Sequence, residues 1–564
     1  MNIMVDVVRI SGFRGIENME LCLPRVGVLT GTNNSGKTSV LKVLQLVLGN
    51  YSRYVQNEDF YIDKNGQRVN AILVDVKIVP VNEKWETSDS FDNDWSIIFG
   101  DKISFAVMPA ALIVRTRVTH DEATGELKTE RFTLSEWPDW ENWRQKQTKE
   151  NRLYSRFDSI QVFPIEAQRD IHQELRERSS YIARILGQVE YNDDDKTALE
   201  ELIKNINEQA VEKSIELENL RNHLNNLNKS FQGSGNTEIT PFPKKLRDLS
   251  KYFSIHFGED STTSFSMEYH GMGTRSWASM LTSKALAEMN IAKHEREVKP
   301  ILNILLVEEP EAHLHPNAQK TLYDQLKDFK GQVLASTHSP YLAAMSEVKD
   351  IRSLKKTSNG VQCYRFRYKV SPGEEKILQR AIWNKRGELL FAKGLILAEG
   401  ITEEQAIPAM FQVYFGYSMH SVGITCVSVE GKNYAPFLKL ACSLGIPVFI
   451  VSDNDKDTQS NLSNLFENIR KESEIDLSRE AFGIRYIDKG DDFEANLLRH
   501  GFRQEIVEAF VLSASNINDD VRFLAAQRQK LEELADAGLQ TEMHKDKATY
   551  SGFLADVWLE NPKI

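Results

Sequence analysis

Gly31-Thr32-Asn33-Asn34-Ser35-Gly36-Lys37-Thr38 meets the G-x-x-x-x-G-K-[ST] phosphate-loop pattern at every fixed position. Gly27-Val28-Leu29-Thr30 before it reads as a short apolar strand, and Ser39 to Leu48 after it reads as a helix. The motif therefore sits where its chemistry needs it. Glycines let backbone N–H groups curl around phosphate oxygens, the helix N-terminus adds positive dipole, Lys37 reaches the β/γ-phosphates and Thr38 holds Mg²⁺. Asn33, Asn34, Ser35, Gly36, Lys37, Thr38 and Ser39 form the expected nucleotide-binding set, with ATP and Mg²⁺ the expected ligands.

At 564 residues the chain is too long for one ordinary core, and two or three domains are expected. Hydrophobic content of 41% beside charged content of 27% is that of a globular protein, and no apolar run approaches a membrane span. The first ten residues lack the basic and long apolar regions of a signal peptide, which points to the cytoplasm. Cys22, Cys363, Cys426 and Cys442 have no C-x-x-C spacing, so neither a metal knuckle nor a disulfide framework is expected. A net charge of −12 argues against a general nucleic-acid coat, yet clustered carboxylates can hold Mg²⁺ that bridges to phosphate.

Along the chain, Val5 to Ile10 and Met19 to Leu23 read as strands flanking Phe13-Arg14. Ala71 to Val81, Ile103 to Thr119 and Glu130 to Leu134 continue a β segment. Trp137, Trp140 and Trp143, three apart, predict one aromatic face of a helix, used for packing more readily than for base stacking. A helical insertion is expected over about 170–235. Leu199, Leu202 and Ile206, then Leu217, Leu220, Leu224 and Leu227, mark its apolar seam. The phase breaks across Ala210 to Ser214, which predicts two helices or one interrupted helix. Such a seam suits self-association, or equally packing back onto the rest of the chain.

Ile304-Leu305-Leu306-Val307 is an apolar strand delivering Glu308 and Glu309. A carboxylate at that place completes a Mg²⁺ shell and its neighbour can orient water, so Glu308 is assigned to the metal and Glu309 to water activation. Val333 to Ser336 leads into His338, expected at the γ-phosphate. These pieces together resemble the ATP-binding-cassette heads of repair and chromosome-maintenance ATPases, which usually carry Asp at the place of Glu308. In those proteins a second head completes the site through a signature loop. Gly271 to Ser276 is the best match here, though without the Ser-Gly-Gly core, and Gln168 or Arg169 is a further candidate beside the nucleotide.

In the C-terminal part, the strand Gly394 to Ala398 ends in Glu399, with Glu403 at the start of a helix, and Ile446 to Ser452 runs into Asp453-Asn454-Asp455. Carboxylates at strand ends converge on the carboxyl edge of an α/β sheet, and their oxygens suit Mg²⁺ or Mn²⁺. This E-G-x-x-E with D-x-D resembles the TOPRIM fold. The order of parts, with Glu388 to Ala392 just before the TOPRIM strand, resembles the OLD (overcoming lysogenization defect) family of ATP-dependent nucleases, which includes the nuclease subunit of Gabija anti-phage systems and effectors found beside retrons.

The resemblance implies an α/β fold: an ABC-type P-loop ATPase head with a helical insertion (1–375), then a C-terminal α/β TOPRIM nuclease domain (386–564). It implies a further acidic ligand, matched at Glu494 with Asp492 in reserve, and an active-site lysine, matched at Lys547 with Lys545 the alternative. Glu399, Glu403, Asp453, Asp455 and Glu494 would bind two Mg²⁺ ions for in-line attack on DNA, and Lys547 would neutralise the transition state. A homodimer or larger even oligomer follows, as does a defence partner, either a helicase-like protein or a reverse transcriptase with its RNA. A topoisomerase would need a separate DNA-gate domain, for which no stretch remains. A DNA-tethering ATPase with a non-cleaving TOPRIM site is the rival.

Overall fold

The computed structural model describes residues 2–49, 51, 55–120, 126–145, 149–167, 192–221, 241–242, 256–257, 265–266, 269–296, 299–357, 360–384, 387–454, 456–472, 482–488 and 491–560. Asp455, Gln168, Arg169, Leu224 and Leu227 lie outside the described residues.

Two sheets build the first unit. One is antiparallel, in the order Ile16–Cys22, Asn2–Phe13, Ala71–Val81, Ala111–His120, Leu127–Leu134 and Glu150–Arg152. The other runs Gly360–Arg365, Ile351–Thr357, Val26–Thr30, Gln332–Ser336, Leu302–Glu308 and Ile160–Ile165, parallel throughout except for its first pair. Alternation along Leu302–Glu308 explains the layering, because successive side chains of a strand point to opposite faces. Ile304 and Leu306 join the core holding Val40, Val43 and Leu44 of the helix Lys37–Val47. Leu305 and Val307 join the core on the other face, with Met280, Leu286, Leu322 and Leu326. The phosphate-loop helix is thus wedged between the two sheets.

Register brings the functional turns to one edge. Glu308 pairs with Ser336, and Ser336 with Leu29, so the three parallel strands end level with one another. The second unit has a four-stranded parallel sheet, Ile424–Ser428, Gly394–Ala398, Val448–Ser452 and Phe482–Tyr486. Glu399 and Asp453 follow adjacent strands of it. Helices from Phe493–Arg499 to Lys547–Glu560 pack on the helix Ile401–Phe415 through Ala406, Leu497, Ile506, Leu539 and Trp558.

A continuous core joins the units. Ala343, Ala344 and Ile351 of the first pack with Leu378 and Ile382 of the helix Pro372–Asn384, and with Leu389, Leu395 and Ile450 of the second. Among the described residues no helix is long and apolar enough to cross a membrane. No disulfide joins any of the four cysteines.

Two expectations are corrected. Trp137, Trp140 and Trp143 do not share a helix face, because the chain from 135 to 145 is turn and loop, interrupted by Pro138. Trp137 and Trp140 flank Arg9 instead: its guanidinium lies 4.2 Å from the Trp137 ring and 5.6 Å from the Trp140 ring, and donates to Pro138 O. Trp143 is fully buried, with Nε1 donating to Asn18. In the insertion, the helix Asp193–Lys213 buries Ile203, Asn207 and Val211, whereas Leu202 and Ile206 are exposed. Asn207 is buried because its amide pairs with both N and O of Phe242, at 2.7 and 3.0 Å. The break at Ser214 does separate two helical segments, the second spanning 215–221.

Candidate functional site

The phosphate loop leaves the strand Val26–Thr30 through Gly31, at φ 147°. A Cβ there would stand 2.4 Å from Leu354 O, so both conformation and space select glycine. Gly36, also left-handed, turns the chain into the helix. Asn33 and Asn34 are exposed at the loop, whereas Ser35 and Ser39 are buried beneath it. Lys37 Nζ folds back onto the loop, donating to Gly31 O at 2.9 Å and Thr32 O at 3.0 Å. Burial pulls its amine down to about 8, against the opposing pull of Glu309, Glu311 and Glu308. Thr38 Oγ1 donates to Glu308 Oε1, which places the hydroxyl and carboxylate as neighbours, as a shared Mg²⁺ would require.

Glu309 occupies a left-handed position at φ 44°, its N–H held by Ser336 O at 3.0 Å, and its carboxylate faces His338 Nε2 at 3.7 Å. Burial, and then the charge of Lys37, lowers the His338 imidazole from its ordinary value. The turn carrying His338 hangs on Glu311. Its Oε1 accepts from Thr337 Oγ1 at 2.8 Å, His338 N at 2.7 Å and Ser339 N at 3.1 Å. Gly271 to Ser276 opens the helix Met272–Arg296, where Gly273 lies so near the loop after Glu311 that a Cβ would stand 2.4 Å from His313 O.

In the second unit Glu399 Oε2 accepts from Ser452 Oγ and from Asp453 N, both at 3.2 Å, tying two strand ends together. Glu403 caps its own helix by accepting from Gly400 N at 3.1 Å. Burial pushes its carboxyl up to about 7, and the charges of Glu494 and Asp453 add to this while Lys547 opposes it. Glu494 is buried, and its Oε1 accepts from Thr402 Oγ1 at 2.8 Å, Lys547 Nζ at 2.9 Å and Tyr550 OH at 3.4 Å. Burial works against the charge on Lys547, but Glu494, Glu403 and Asp492 together hold its amine above the ordinary value. Lys545, by contrast, pairs with Glu542 on the exposed surface.

Asp492 and His544 stand beside this group, with His544 Nε2 2.8 Å from Asp492 Oδ2 and 3.7 Å from Glu494 Oε2. Asp492, Glu494 and His544 each offer a donor atom within 4.8 Å of the others, a set chemically suited to a divalent cation. Beside Glu399, a cleft of about 350 Å³ opens, lined also by Glu404, Ser428 and Glu430.

Sequence reasoning missed Thr402, Tyr550 and His544 as site residues. His544 stands three residues before Lys547, so the lysine that drew attention also marked its neighbourhood.

A phosphate-loop ATPase unit with an acidic strand end beside the loop, fused to a parallel α/β unit whose carboxylates converge, defines a two-site nucleotide- and metal-handling protein. Residues 4–343 match the AAA ATPase domain family, and residues 390–455 match the Overcoming lysogenization defect protein-like TOPRIM domain family. The chain belongs to the AAA ATPase domain family and carries an OLD-like TOPRIM domain. It is similar to the Old nuclease of Escherichia phage P2, 22% identical over 483 residues that cover 81% of this chain and 78% of that protein. It is also similar to the Endonuclease GajA of Bacillus cereus strain VD045, 22% identical over 476 residues covering 82% and 76%. Among solved structures, the C-terminal region of the Xanthomonas campestris pv. campestris OLD protein aligns at 22% identity over 30% of this chain and 86% of that one, with TM-score 0.24.

Proposed function

We propose that the chain is an ATP-binding and ATP-hydrolysing, ATP-regulated endonuclease that cuts DNA with divalent metal ions, and that it serves as an anti-phage effector. The observation that carries this reading is the pairing of Glu399 with Asp453 N at two adjacent strand ends and of Glu494 with the Lys547 amine, with Glu403 sensing the charges of Asp453, Glu494 and Lys547. The names of the phage P2 and Bacillus cereus relatives point the same way.

In this reading residues 1–375 are the ATPase domain and 386–564 the nuclease domain. Glu399, Glu403, Asp453, Asp455 and Glu494 hold Mg²⁺ or Mn²⁺. Two such ions, when bound, supply an activated water and charge stabilisation for the leaving 3′-oxygen. The chain's own part is orientation and charge. Lys547 offers its ammonium to the phosphate oxygens that gain charge, and Glu494, which accepts from it at 2.9 Å, sets its position. At the other site Thr38 and Glu308 hold Mg²⁺, Lys37 and His338 face the γ-phosphate, and Glu309 orients water. The working form is a cytoplasmic homodimer or larger even oligomer, with a helicase-like protein or a reverse transcriptase and its RNA as partner.

The experiment is incubation with supercoiled plasmid and Mg²⁺ or Mn²⁺. Nicked or linear product is expected from the native protein and none from Asp453→Ala. Intact plasmid under both metals would favour the rival, a DNA-tethering ATPase whose TOPRIM site does not cut.

A further inference from the structure

Asp492 and Glu494 each have one carboxylate oxygen engaged by the protein and one directed elsewhere. Asp492 caps the helix Phe493–Arg499, and its Oδ1 accepts from Ala495 N at 2.8 Å and Gln540 Nε2 at 3.0 Å. Glu494 Oε1 is occupied by Thr402, Lys547 and Tyr550. The remaining oxygens, Asp492 Oδ2 and Glu494 Oε2, both face Nε2 of His544, which a second helix, Asp536–Lys545, carries into place. Three donors from two helices are therefore pre-set, the two carboxylates each with their other oxygen already engaged.

The spacing suits a cation. Adjacent ligands of an octahedral ion at about 2.1 Å stand about 3 Å apart, and the two separations from Nε2 are 2.8 and 3.7 Å. Glu399 and Asp453 are tied to each other instead, Asp453 N donating to Glu399 Oε2 at 3.2 Å, and neither belongs to the cluster of Asp492, Glu494 and His544. An imidazole nitrogen is a poor ligand for Mg²⁺, which takes oxygen, and a better one for first-row transition cations, among which Mn²⁺ binds weakest but still accepts a mixed nitrogen and oxygen set.

We infer that His544 Nε2, with Asp492 Oδ2 and Glu494 Oε2, forms one of the two cation subsites of the TOPRIM unit, a mixed nitrogen and oxygen site that favours Mn²⁺ over Mg²⁺. The inference rests on the reading of this unit as a metal-dependent one and adds a ligand and a metal preference to it. A simple His544–Asp492 ion pair is the competing arrangement.

The test uses the full chain with Mn²⁺ alone, without DNA or nucleotide. Electron spin-echo modulation of bound Mn²⁺ should show coupling to a ¹⁴N nucleus, and His544→Gln should abolish it. The same change should weaken Mn²⁺ at this subsite about tenfold or more, the scale on which even outer partners of a metal act, and disturb Mg²⁺ competition less. His544 is 40% exposed, so the substitution spares the core, and circular dichroism checks this. Asp453→Asn should retain the nitrogen coupling, because Asp453 belongs to the other subsite. Oxygen-only ligation in the native protein, or coupling that persists in His544→Gln, overturns the inference. Because nothing is cleaved in this assay, nitrogen coupling without plasmid cutting would sink the nuclease reading alone, and cutting without coupling would sink the ligand assignment alone.

Discussion

Gly387→Ala should cost far more than its size suggests, and a second glycine calibrates by how much. Gly387 has φ 77° and ψ 0°, and Gly416 has φ 77° and ψ 7°, so alanine meets the same backbone strain at both, about 1 kcal/mol. The surroundings differ. At Gly416 nothing lies within 4 Å of an added Cβ, whereas at Gly387 it would stand 2.1 Å from Pro340 O. Ordinary contact begins at 3.4 Å, so the backbones must part by about 1.3 Å, and no side chain can rotate to relieve them. Pro340 begins the helix Pro340–Met345, whose Ala344 O accepts from Trp383 Nε1 at 3.0 Å and Gln379 Nε2 at 3.1 Å. Losing these adds about 1 kcal/mol each, for a total of about 3 kcal/mol at Gly387 against about 1 at Gly416. Hydrogen exchange over 340–345 and 372–390, together with thermal unfolding, measures the difference. Equal losses in the two variants would show that the seam between the units yields freely, and would refute the reasoning.

Lys355 is held at the same seam, donating to Gly445 O at 3.2 Å, and burial lowers its amine to about 8. The charge therefore costs stability below pH 8, and the cost fades as pH rises from about 8 to 10.5. Lys355→Met should stabilise the protein at pH 7 by on the order of 1–2 kcal/mol after solvent screening, and flatten its stability profile over that window, as read by melting temperature against pH. Glu309→Gln should leave ATP binding intact and slow hydrolysis about 100-fold or more, whereas Glu311→Ala should loosen the His338 turn, with a cost of about 2–4 kcal/mol from the stranded Thr337 hydroxyl and His338 N–H, Ser339 N keeping its bond to Thr337 Oγ1. Native turnover in Glu309→Gln would move water activation elsewhere. Light scattering at micromolar concentration should give a dimeric or larger even mass, and a monomer with and without ATP would count against that expectation.

What the sequence made legible depended on how locally each feature is encoded. The phosphate loop, the Ile304 to Glu309 strand end and the Glu399 to Glu403 turn each lie within ten residues, so pattern and chemistry could be read together, and they carried the fold class. Features made by distant partners were hidden. His544 meets Asp492 across fifty-two positions, and Glu311 acts through donors at 337 to 339. Two local patterns misled because tertiary partners outweighed them. The regular tryptophan spacing lost to Pro138 and to stacking on Arg9, and the leucine count in the insertion lost to Asn207, whose burial is worthwhile only because Phe242 supplies both a donor and an acceptor.

The seam also bears on how ATP would govern cutting in the proposed nuclease. Phosphodiester hydrolysis is downhill, so the second unit needs no energy from ATP. What nucleotide can supply is a difference in affinity between two arrangements, and a ligand that binds both equally shifts nothing. His338, proposed to meet the γ-phosphate, is two residues before Pro340. Pro340 abuts Gly387, and Leu389 and Leu390 pack against Leu395 and Leu397 of the strand that ends at Glu399. Each step in that chain is a packed backbone or a buried side chain with little room to give. A displacement of the His338 turn must then either be absorbed at the Gly387 contact or passed to Glu399, and the crowding at Gly387 favours transmission. Glu311 gains a second role in this view: by fixing the turn with three donors it sets the rest position from which nucleotide binding departs, so ATP acts on a stiff lever instead of a loose loop.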